Sequence, residues 1–282
     1  MAHSLRSSVL ALSTTLLLAA CGSKSEQSAQ DTPDGAVMQW VAALKKDDLG
    51  ALLQSATTDE EFAKMRADWT QKVSESPSDE ERAQFATTMT MLTAPDAESA
   101  LMLKVEPELE KMKPQVEMLL SMIEGMATAA MSQGGTLTPQ QQEQGQAAVQ
   151  ALVETLRKND ITDPGRARKA VGIVCKTARG LELKTTEDVL KLSFDRALER
   201  GGLIVAGTKD LLEVYGFSVD GVLSSIKART VTQDGDKATV EVSYTLLGVQ
   251  RTQQSEMVRV GGRWVVQREQ GVPAEQESSV GG

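Results

Sequence analysis

The sequence predicts an α+β protein, in which N-terminal and inserted helices pack on a C-terminal antiparallel β-meander. Between Asp34 and about Phe217, apolar residues recur at helical spacing and helix-capping patterns introduce successive segments. After Phe217, apolar and polar residues alternate with period two, and short glycine turns separate the segments. Helices first and an antiparallel meander last are typical of a helix layer packed on one sheet.

Residues 1–20 have the composition of an export signal. Arg6 lies in a short start, an apolar core extends from Val9 to Leu18, and Ala19 and Ala20 follow as small residues. This core is too short for a transmembrane helix, which needs about 20 predominantly apolar residues. No later segment reaches that length without charges, so we expect that the mature chain does not cross a membrane.

A cysteine follows the small residues, and Leu18, Ala19, Ala20 and Cys21 together resemble the lipobox of bacterial lipoproteins. The resemblance implies signal cleavage between Ala20 and Cys21, a diacylglycerol thioether on the Cys21 sulfur and an acylated amine. The membrane is then a partner through the lipid anchor, since several acyl chains suffice for stable anchoring. The resemblance also implies a place in the bacterial cell envelope facing the periplasm, and Gly22 resembles sorting to the outer rather than the inner membrane. An ordinary secretory signal that contains a cysteine is the alternative.

Charge and composition exclude several classes of function. Arg6 is the only charged residue of the signal, so its removal changes the net charge from −9 to −10. An acidic chain is a poor partner for nucleic acid or anionic lipid headgroups. His3 is the only histidine and is lost with the signal, which excludes catalytic triads and any histidine-ligated metal site. Once Cys21 is a thioether, Cys175 is the only free thiol and no intramolecular disulfide can form.

The first part of the mature chain is predicted to be a tether followed by short helices. Residues 22–33 are small and polar without periodicity, as in flexible linkers. Asp34 can cap a helix that extends to about Lys46, and a short second helix follows around Leu49. Two capping boxes then open helices of about fifteen residues, at Thr58 to Glu61 and at Ser78 to Glu81.

The next helices are delimited by prolines and glycines. Pro107 and Pro114 predict that the stretch from Asp96 to Gln133 is not one straight helix, with its strongest piece starting near Pro114. Three further helices are predicted to begin at capping sites, at residues 138, 163 and 185. The second is expected to extend to about residue 179, before a glycine, and the third to end at the pair Gly201 and Gly202.

The strands are predicted near the C-terminus. Residues 226–232, 238–244, 251–260 and 263–266 are the candidates, with turns at 234–236, 248 and 261–262. Turns of two or three residues force antiparallel pairing of neighbouring strands. We therefore divide the chain into a signal peptide (1–20), a flexible tether (21–33), an α+β domain (34–270) and a disordered tail (271–282). Within that domain, a helical insertion occupies about 57–180 and the β-meander about 224–268.

Two parts of this pattern resemble small envelope domains with the nuclear transport factor 2-like (cystatin-like) fold. Residues 31–54, DTPDGAVMQWVAALKKDDLGALLQ, are similar to that fold's first two helices. Residues 234–248 and 255–267, which include the turn before Trp264, are similar to its last three strands. The resemblance implies a cone-shaped space between helix and sheet. The insertion departs from the family's length, and one elaborated domain or two subdomains remain alternatives.

Methionines on the predicted helix near Pro114 are the first candidate site. Met118, Met122 and Met126 share one helix face because they lie four residues apart, and Met112 and Met131 are nearby. Soft thioethers suit Cu(I), but methionine is also a common gap-filler in helical cores. We expect core packing, with a copper site or an apolar groove as the alternatives.

Other candidates lack a catalytic pattern. Cys175 lies on a predicted apolar helix face and is expected to be a buried, inert thiol, since no histidine can activate it. Residues 163–200 carry excess basic charge, and interleaved signs favour a solvated surface over an anion site. Tyr215 and Tyr244 are the only tyrosines, and no carboxylate can be assigned beside them.

These observations predict a lipid-anchored, non-catalytic protein for binding or envelope support, with Cys21 as its one assigned functional residue and no cofactor or metal. Its apolar groove between helix and sheet, or its extra helices, would hold a small apolar ligand or a protein partner. The alternative is a structural interaction protein that docks an envelope partner through the helical insertion. A proton-transfer enzyme with a carboxylate near Tyr244 is the third possibility. A filled core and an exposed apolar patch on the insertion would favour the second reading.

Overall fold

The computed structural model describes residues 31–74, 76–133 and 139–267. The predicted signal peptide, most of the tether and the predicted tail lie outside these residues. Within them the chain forms ten helices and four strands. The helices are α1 Pro33–Lys45, α2 Leu49–Ala56, α3 Asp59–Lys72, α4 Asp79–Thr93, α5 Ala97–Gln133, α6 Pro139–Asn159, α7 Pro164–Leu181, α8 Thr186–Leu190, α9 Phe194–Val214 and α10 Val219–Ser225. The strands are β1 Lys227–Asp234, β2 Lys237–Leu246, β3 Val249–Val260 and β4 Arg263–Val266.

The four strands form one antiparallel sheet in the order β1-β2-β3-β4, which confirms the predicted meander and the α+β class. The turns lie where the sequence predicts them. Gly235, Gly248, Gly261 and Gly262 all have positive φ, a conformation that glycine adopts without steric cost and that two-residue hairpin turns require. A register shift between Thr230 and Thr232 bends the edge strand β1.

Helix α1 packs on one face of the sheet and forms the core there. The buried residues of this cluster are Ala36, Val37, Ala238, Val240, Val242, Met257 and Trp264. Trp40, Ile226, Ala228 and Tyr244 are partly buried against it. These side chains fill the space between α1 and the sheet.

The N-terminal cap of α1 differs from the sequence prediction. Thr32, not Asp34, is the N-cap, and its hydroxyl accepts a hydrogen bond of 3.2 Å from the Gly35 amide. Pro33 occupies the first turn, where its fixed φ fits the helix and its missing N–H costs nothing. Asp34 instead accepts a hydrogen bond of 2.8 Å from Thr230 Oγ1 and so connects α1 to β1.

Helix α10 also packs on β2 and α1, and the other helices pack mainly on one another in a second layer. Helix α9 contacts α2 and α7, and α7 in turn contacts α4 and α5. Helix α6 packs along α5. Arg263 of β4 joins the sheet to this layer, since it donates to the Gln54 carbonyl at 3.0 Å and pairs with Asp59 at 2.8 Å. None of the helices in the described ranges combines the length and the apolar character that a membrane span requires.

Helix α5 continues through both prolines, so the expected start near Pro114 is wrong. Pro107 and Pro114 lie seven residues apart and are both exposed. A proline removes the hydrogen bond to the carbonyl four residues earlier, and these carbonyls belong to the exposed residues Leu103 and Glu110. Water can hydrogen-bond to the freed carbonyls, which makes two helical prolines tolerable on this face.

The predicted end of a helix at Gly201 and Gly202 is also wrong. Both glycines lie inside α9, which is capped by Ser193, and the capping box at Thr185 opens only the short helix α8. A Cβ on Gly202 would lie 2.4 Å from the Asp47 carbonyl oxygen, and one on Gly201 would lie 2.8 Å from Leu49 Cδ1. These glycines allow α9 to approach the turn between α1 and α2 closely. They are packing residues.

Candidate functional site

The predicted lipidation and cleavage residues, Ala20 and Cys21, lie outside the described residues, so the lipid anchor stays a prediction. The described part of the chain begins at Asp31, just before α1. A lipid on Cys21 would therefore be separated from α1 by eleven residues, 22–32, mostly small and polar. Fully extended, this segment spans at most about 40 Å.

The methionine face of α5 is exposed, which contradicts the expected core packing. Met112, Met118, Met122 and Met126 are 46%, 70%, 52% and 64% exposed, and the neighbouring Leu119 is 49% exposed. The side chain of Met131 is outside the described residues. These exposed apolar side chains make this face of α5 a candidate interaction site.

The methionines are exposed because α5 uses its opposite face for packing. Met102 and Leu120 of α5 are buried, while Val153 of α6 is fully buried. Arg157 of α6 holds the pair together through Glu124 at 3.0 Å and Glu117 at 3.5 Å. Helices α5 and α6 thus form an antiparallel hairpin, and the described residues place no further helix over the methionines.

The exposed face carries no net charge of its own. From Gln115 to Gln133 the only charged residues are Glu117 and Glu124, and Arg157 pairs with both. Hydrogen bonding to Glu124 raises the pKa of Arg157. Ser121 has a small side chain and Gly125 has none. A Cβ on Gly125 would meet no atom within 4 Å. The result is a neutral, methionine-rich face with an open notch at Gly125.

The expected groove between helix and sheet is occupied by core side chains. Val240 and Met257 are fully buried and Trp264 is 1% exposed beneath α1. Tyr244 packs at the edge of this cluster. The structure therefore puts apolar side chains where an apolar ligand was expected.

The described residues of the helical layer also form surface clefts. One, of about 590 Å³, lies between α7 and α9 beside Arg166, Lys169, Asp210 and Glu213. Another, of about 290 Å³, includes Phe62, Arg66 and Asp195. Arg66 pairs with Asp195 at 2.8 Å and lies over the Phe62 and Phe194 rings at 5.8 and 5.3 Å. Arg166 donates to the Val214 carbonyl. Both arginines are thus engaged in joining helices.

The remaining candidates from the sequence include Cys175 and Tyr215, and burial affects the pKa of both. Cys175 is fully buried, as predicted, and burial raises the pKa of its thiol. Burial likewise raises the pKa of Tyr215, which lies near Arg166 and Asp163. In the described ranges, no group of three or more His, Cys, Asp or Glu side chains could hold a metal ion.

The basic residues of 163–200 join helices through ion pairs. Arg179 contacts Glu98, Arg168 contacts Glu106 and Arg200 contacts Glu182. This confirms the expectation of an interleaved, solvated charge pattern rather than a basic cluster.

The apolar spacing of α5 predicts core packing, but the sequence also contains a signal for an exposed face. Apolar spacing alone cannot distinguish a helix face that contacts the domain from one that contacts a partner, since both have the same period. The absence of lysine and arginine from Met118 to Gln133 is the additional signal. Comparison with known proteins adds nothing to this site, because no protein-family model, no curated protein and no solved structure matches the chain.

Proposed function

We propose that this chain is a bacterial lipoprotein, anchored in the cell envelope through a lipid on Cys21, which presents the methionine face of α5 to a protein partner. Its helix-on-sheet unit would be of the nuclear transport factor 2-like (cystatin-like) type, with α3 to α7 as the added interaction element. The role is structural and non-catalytic. The exposure of Met118, Met122 and Met126 is the observation that carries this proposal.

The lipobox supports the anchor. Leu18, Ala19, Ala20 and Cys21 match it at all four positions. The composition of residues 22–32 is that of a flexible spacer, which would hold the folded domain away from the membrane.

The character of the face supports a protein partner over a membrane surface. Helices that lie on membranes have lysine and arginine on their polar face, which anionic lipids attract. No lysine or arginine lies between Gln115 and Gln133, the two glutamates there pair with Arg157 on the side of α5 that contacts α6, and the chain carries a net charge of −9. Methionine side chains are flexible and polarisable, which suits protein contacts that tolerate some variation in shape.

The filled core supports a docking role over the storage of an apolar ligand. Ligand sites need a cavity of about 300–1,000 Å³ that is mostly apolar. The clefts beside Arg166 and Arg66 are lined mainly by charged and polar residues. Among the described residues, α5 instead carries a run of exposed apolar side chains, at Met112, Met118, Leu119, Met122 and Met126.

The anchor is tested by mass spectrometry of the full chain extracted from bacterial membranes. We expect an N-terminal peptide that begins at Cys21 and carries the mass of the lipid. The variant Cys21→Ser should lack this mass and leave the membrane fraction. A mature N-terminus elsewhere, or an unmodified Cys21, would contradict the anchor.

The docking face is tested by a photo-cross-linking residue at position 122 of the membrane-bound protein. Ile204, on α9, is the matched control, since Ile204 and Met122 are 50% and 52% exposed. We expect a discrete cross-linked protein from position 122 that is absent from position 204, identified by mass spectrometry. The same products from both positions would mean that α5 has no specific partner.

A further inference from the structure

We infer that the partner of the methionine face is a second copy of this chain, with the two α5 helices packed antiparallel about a two-fold axis at Met122. This inference rests on the proposed function, because it assigns the partner of the same face. Three properties of the methionine face support this partner: its symmetry, its charge and its size.

The spacing of the methionines makes the face its own complement. Met118 and Met126 lie four residues before and after Met122, so a two-fold axis through Met122 exchanges their positions. With 100° per residue, Met118 of one copy then lies over Gly125 of the other. Gly125 offers the notch that this contact needs, since a Cβ there would meet no atom within 4 Å. Leu119 likewise lies beside Met126 of the second copy.

The charge of the face favours a neutral partner. Glu117 and Glu124 are paired with Arg157 and lie on the opposite side of α5, toward α6. A positively charged partner would find no free carboxylate on the face, and an acidic one would find no base. The same face on a second copy is neutral and apolar, and antiparallel packing also opposes the two helix dipoles favourably.

The size of the face predicts a weak dimer. Residues 115–129 cover about 21 Å of helix, and a helix with its side chains is about 10 Å wide. This footprint is smaller than the roughly 800 Å² per partner of a standard interface. We therefore expect dissociation in the micromolar range in solution. Lipid anchors would hold both copies on one surface, where a higher effective concentration favours pairing.

Cysteine cross-linking of the full chain in membranes tests the geometry. Cys175 is fully buried and should contribute no background. The axis brings residue 122 of both copies together, so Met122→Cys should form a disulfide-linked dimer when an added thiol oxidant takes up the two electrons and two protons. Positions 118 of the two copies would be about 12 Å apart along the helix, so Met118→Cys alone should not. Combining Met118→Cys with Met126→Cys should restore the cross-link.

Two controls keep the inference falsifiable. Ile204→Cys measures random collision at a matched exposure. Adding Gly125→Gln to Met122→Cys should reduce the cross-link about tenfold by filling the notch, while circular dichroism stays unchanged because the monomer has open space there. Equal cross-linking at 118, 122 and 204, or a monomeric Met122→Cys protein that is folded, would overturn the antiparallel dimer.

The outcomes separate this inference from the proposed function. If position 122 cross-links only to a different protein, the docking face stands and the second copy is wrong. A cysteine dimer that already forms in the wild-type chain would identify an unmodified Cys21, which contradicts the anchor. Met122→Cys combined with Cys21→Ser must then still form the dimer, or the second copy is wrong as well. If Met122→Cys stays monomeric and position 122 yields no partner, both proposals fail.

Discussion

Lys209 of α9 pairs with Asp47, in the turn between α1 and α2, at 2.8 Å. The lysine side chain is only 10% exposed, and its ammonium also contacts Asp220 at 2.6 Å and the Leu44 carbonyl at 3.2 Å. Asp47 has a positive φ of 57°. A single cation thus holds a strained turn, α9 and the start of α10 in place.

We expect Lys209→Met to destabilise the fold by about 1–3 kcal/mol, because it leaves the Asp47 and Asp220 carboxylates without the ammonium that pairs with both. Equilibrium unfolding in urea measures this loss. The matched control is Lys64→Met, at an exposed position on α3, where a change within about 0.5 kcal/mol is expected. Equal effects of the two substitutions would show that the buried cation has no special role.

The pH dependence of Lys209 follows from its surroundings. Burial alone lowers the pKa of this ammonium, but the hydrogen bonds to Asp220 and Asp47 outweigh burial and raise it. The folded pKa then lies above the unfolded value of about 10.4, so the stabilisation is complete below that pH and is lost as the pH rises through the folded pKa. The difference between wild type and Lys209→Met should stay constant from neutral pH to about 10 and shrink above it.

Gly202 provides the second prediction, since it allows α9 to contact the same turn. A Cβ would lie 2.4 Å from the Asp47 carbonyl oxygen, which is backbone and cannot move aside cheaply. We expect Gly202→Ala to destabilise the protein by about 1–3 kcal/mol. Gly172→Ala in α7 is the control, because a Cβ there meets nothing within 4 Å. Alanine is the better helix former and should stabilise the protein there by up to about 1 kcal/mol.

Features set by neighbouring residues could be predicted from the sequence. The capping box of α3 needs only Thr58 and Glu61, three residues apart, and both of its hydrogen bonds are present at 3.1 and 2.9 Å. The turn at Gly261 and Gly262 depends on local positive φ alone. Such interactions are complete within a few residues, so the tertiary structure does not alter them.

Features set by distant residues could not be predicted. The role of Gly202 depends on Asp47, more than 150 residues earlier in the chain. The exposure of Met122 depends on which face of α5 contacts α6 and α7. In both cases the local pattern is visible in the sequence, but the distant residues that contact it are not. A glycine that packs against a turn therefore resembles a helix end, and an exposed apolar face resembles a core face.

Glu98 and Arg179 give a prediction at low pH. Arg179 of α7 donates to Glu98 at 2.9 Å and to the Ala94 carbonyl at 2.8 Å, which fixes the start of α5. Hydrogen bonding from Arg179 is the main cause that lowers the pKa of Glu98 to about 2. The stabilisation is therefore present above the unfolded pKa of about 4.3 and is lost as the pH falls through about 2.

We expect Glu98→Gln to lower Tm at neutral pH and to approach wild type as the pH falls from about 4.5 toward 2, as measured by thermal unfolding at a series of pH values. The control is Glu108→Gln, also on α5, whose side chain is 63% exposed. Its Tm should match wild type throughout this range. A constant difference between wild type and Glu98→Gln at all pH values would mean that the carboxylate charge does not matter.

Substitutions at Met122 and Met257 compare how much an exposed methionine and a core methionine of one chain contribute to the free energy of unfolding. Met257 is fully buried beneath α1, whereas Met122 is 52% exposed. We expect Met257→Ala to cost about 2–5 kcal/mol, because it removes buried contacts and leaves a cavity. Met122→Ala should change the free energy of unfolding by less than about 0.5 kcal/mol. The measurement is urea unfolding at low protein concentration, where a weak dimer is dissociated. A loss for Met122→Ala as large as that for Met257→Ala would place the α5 face in the folded core and remove the basis for docking.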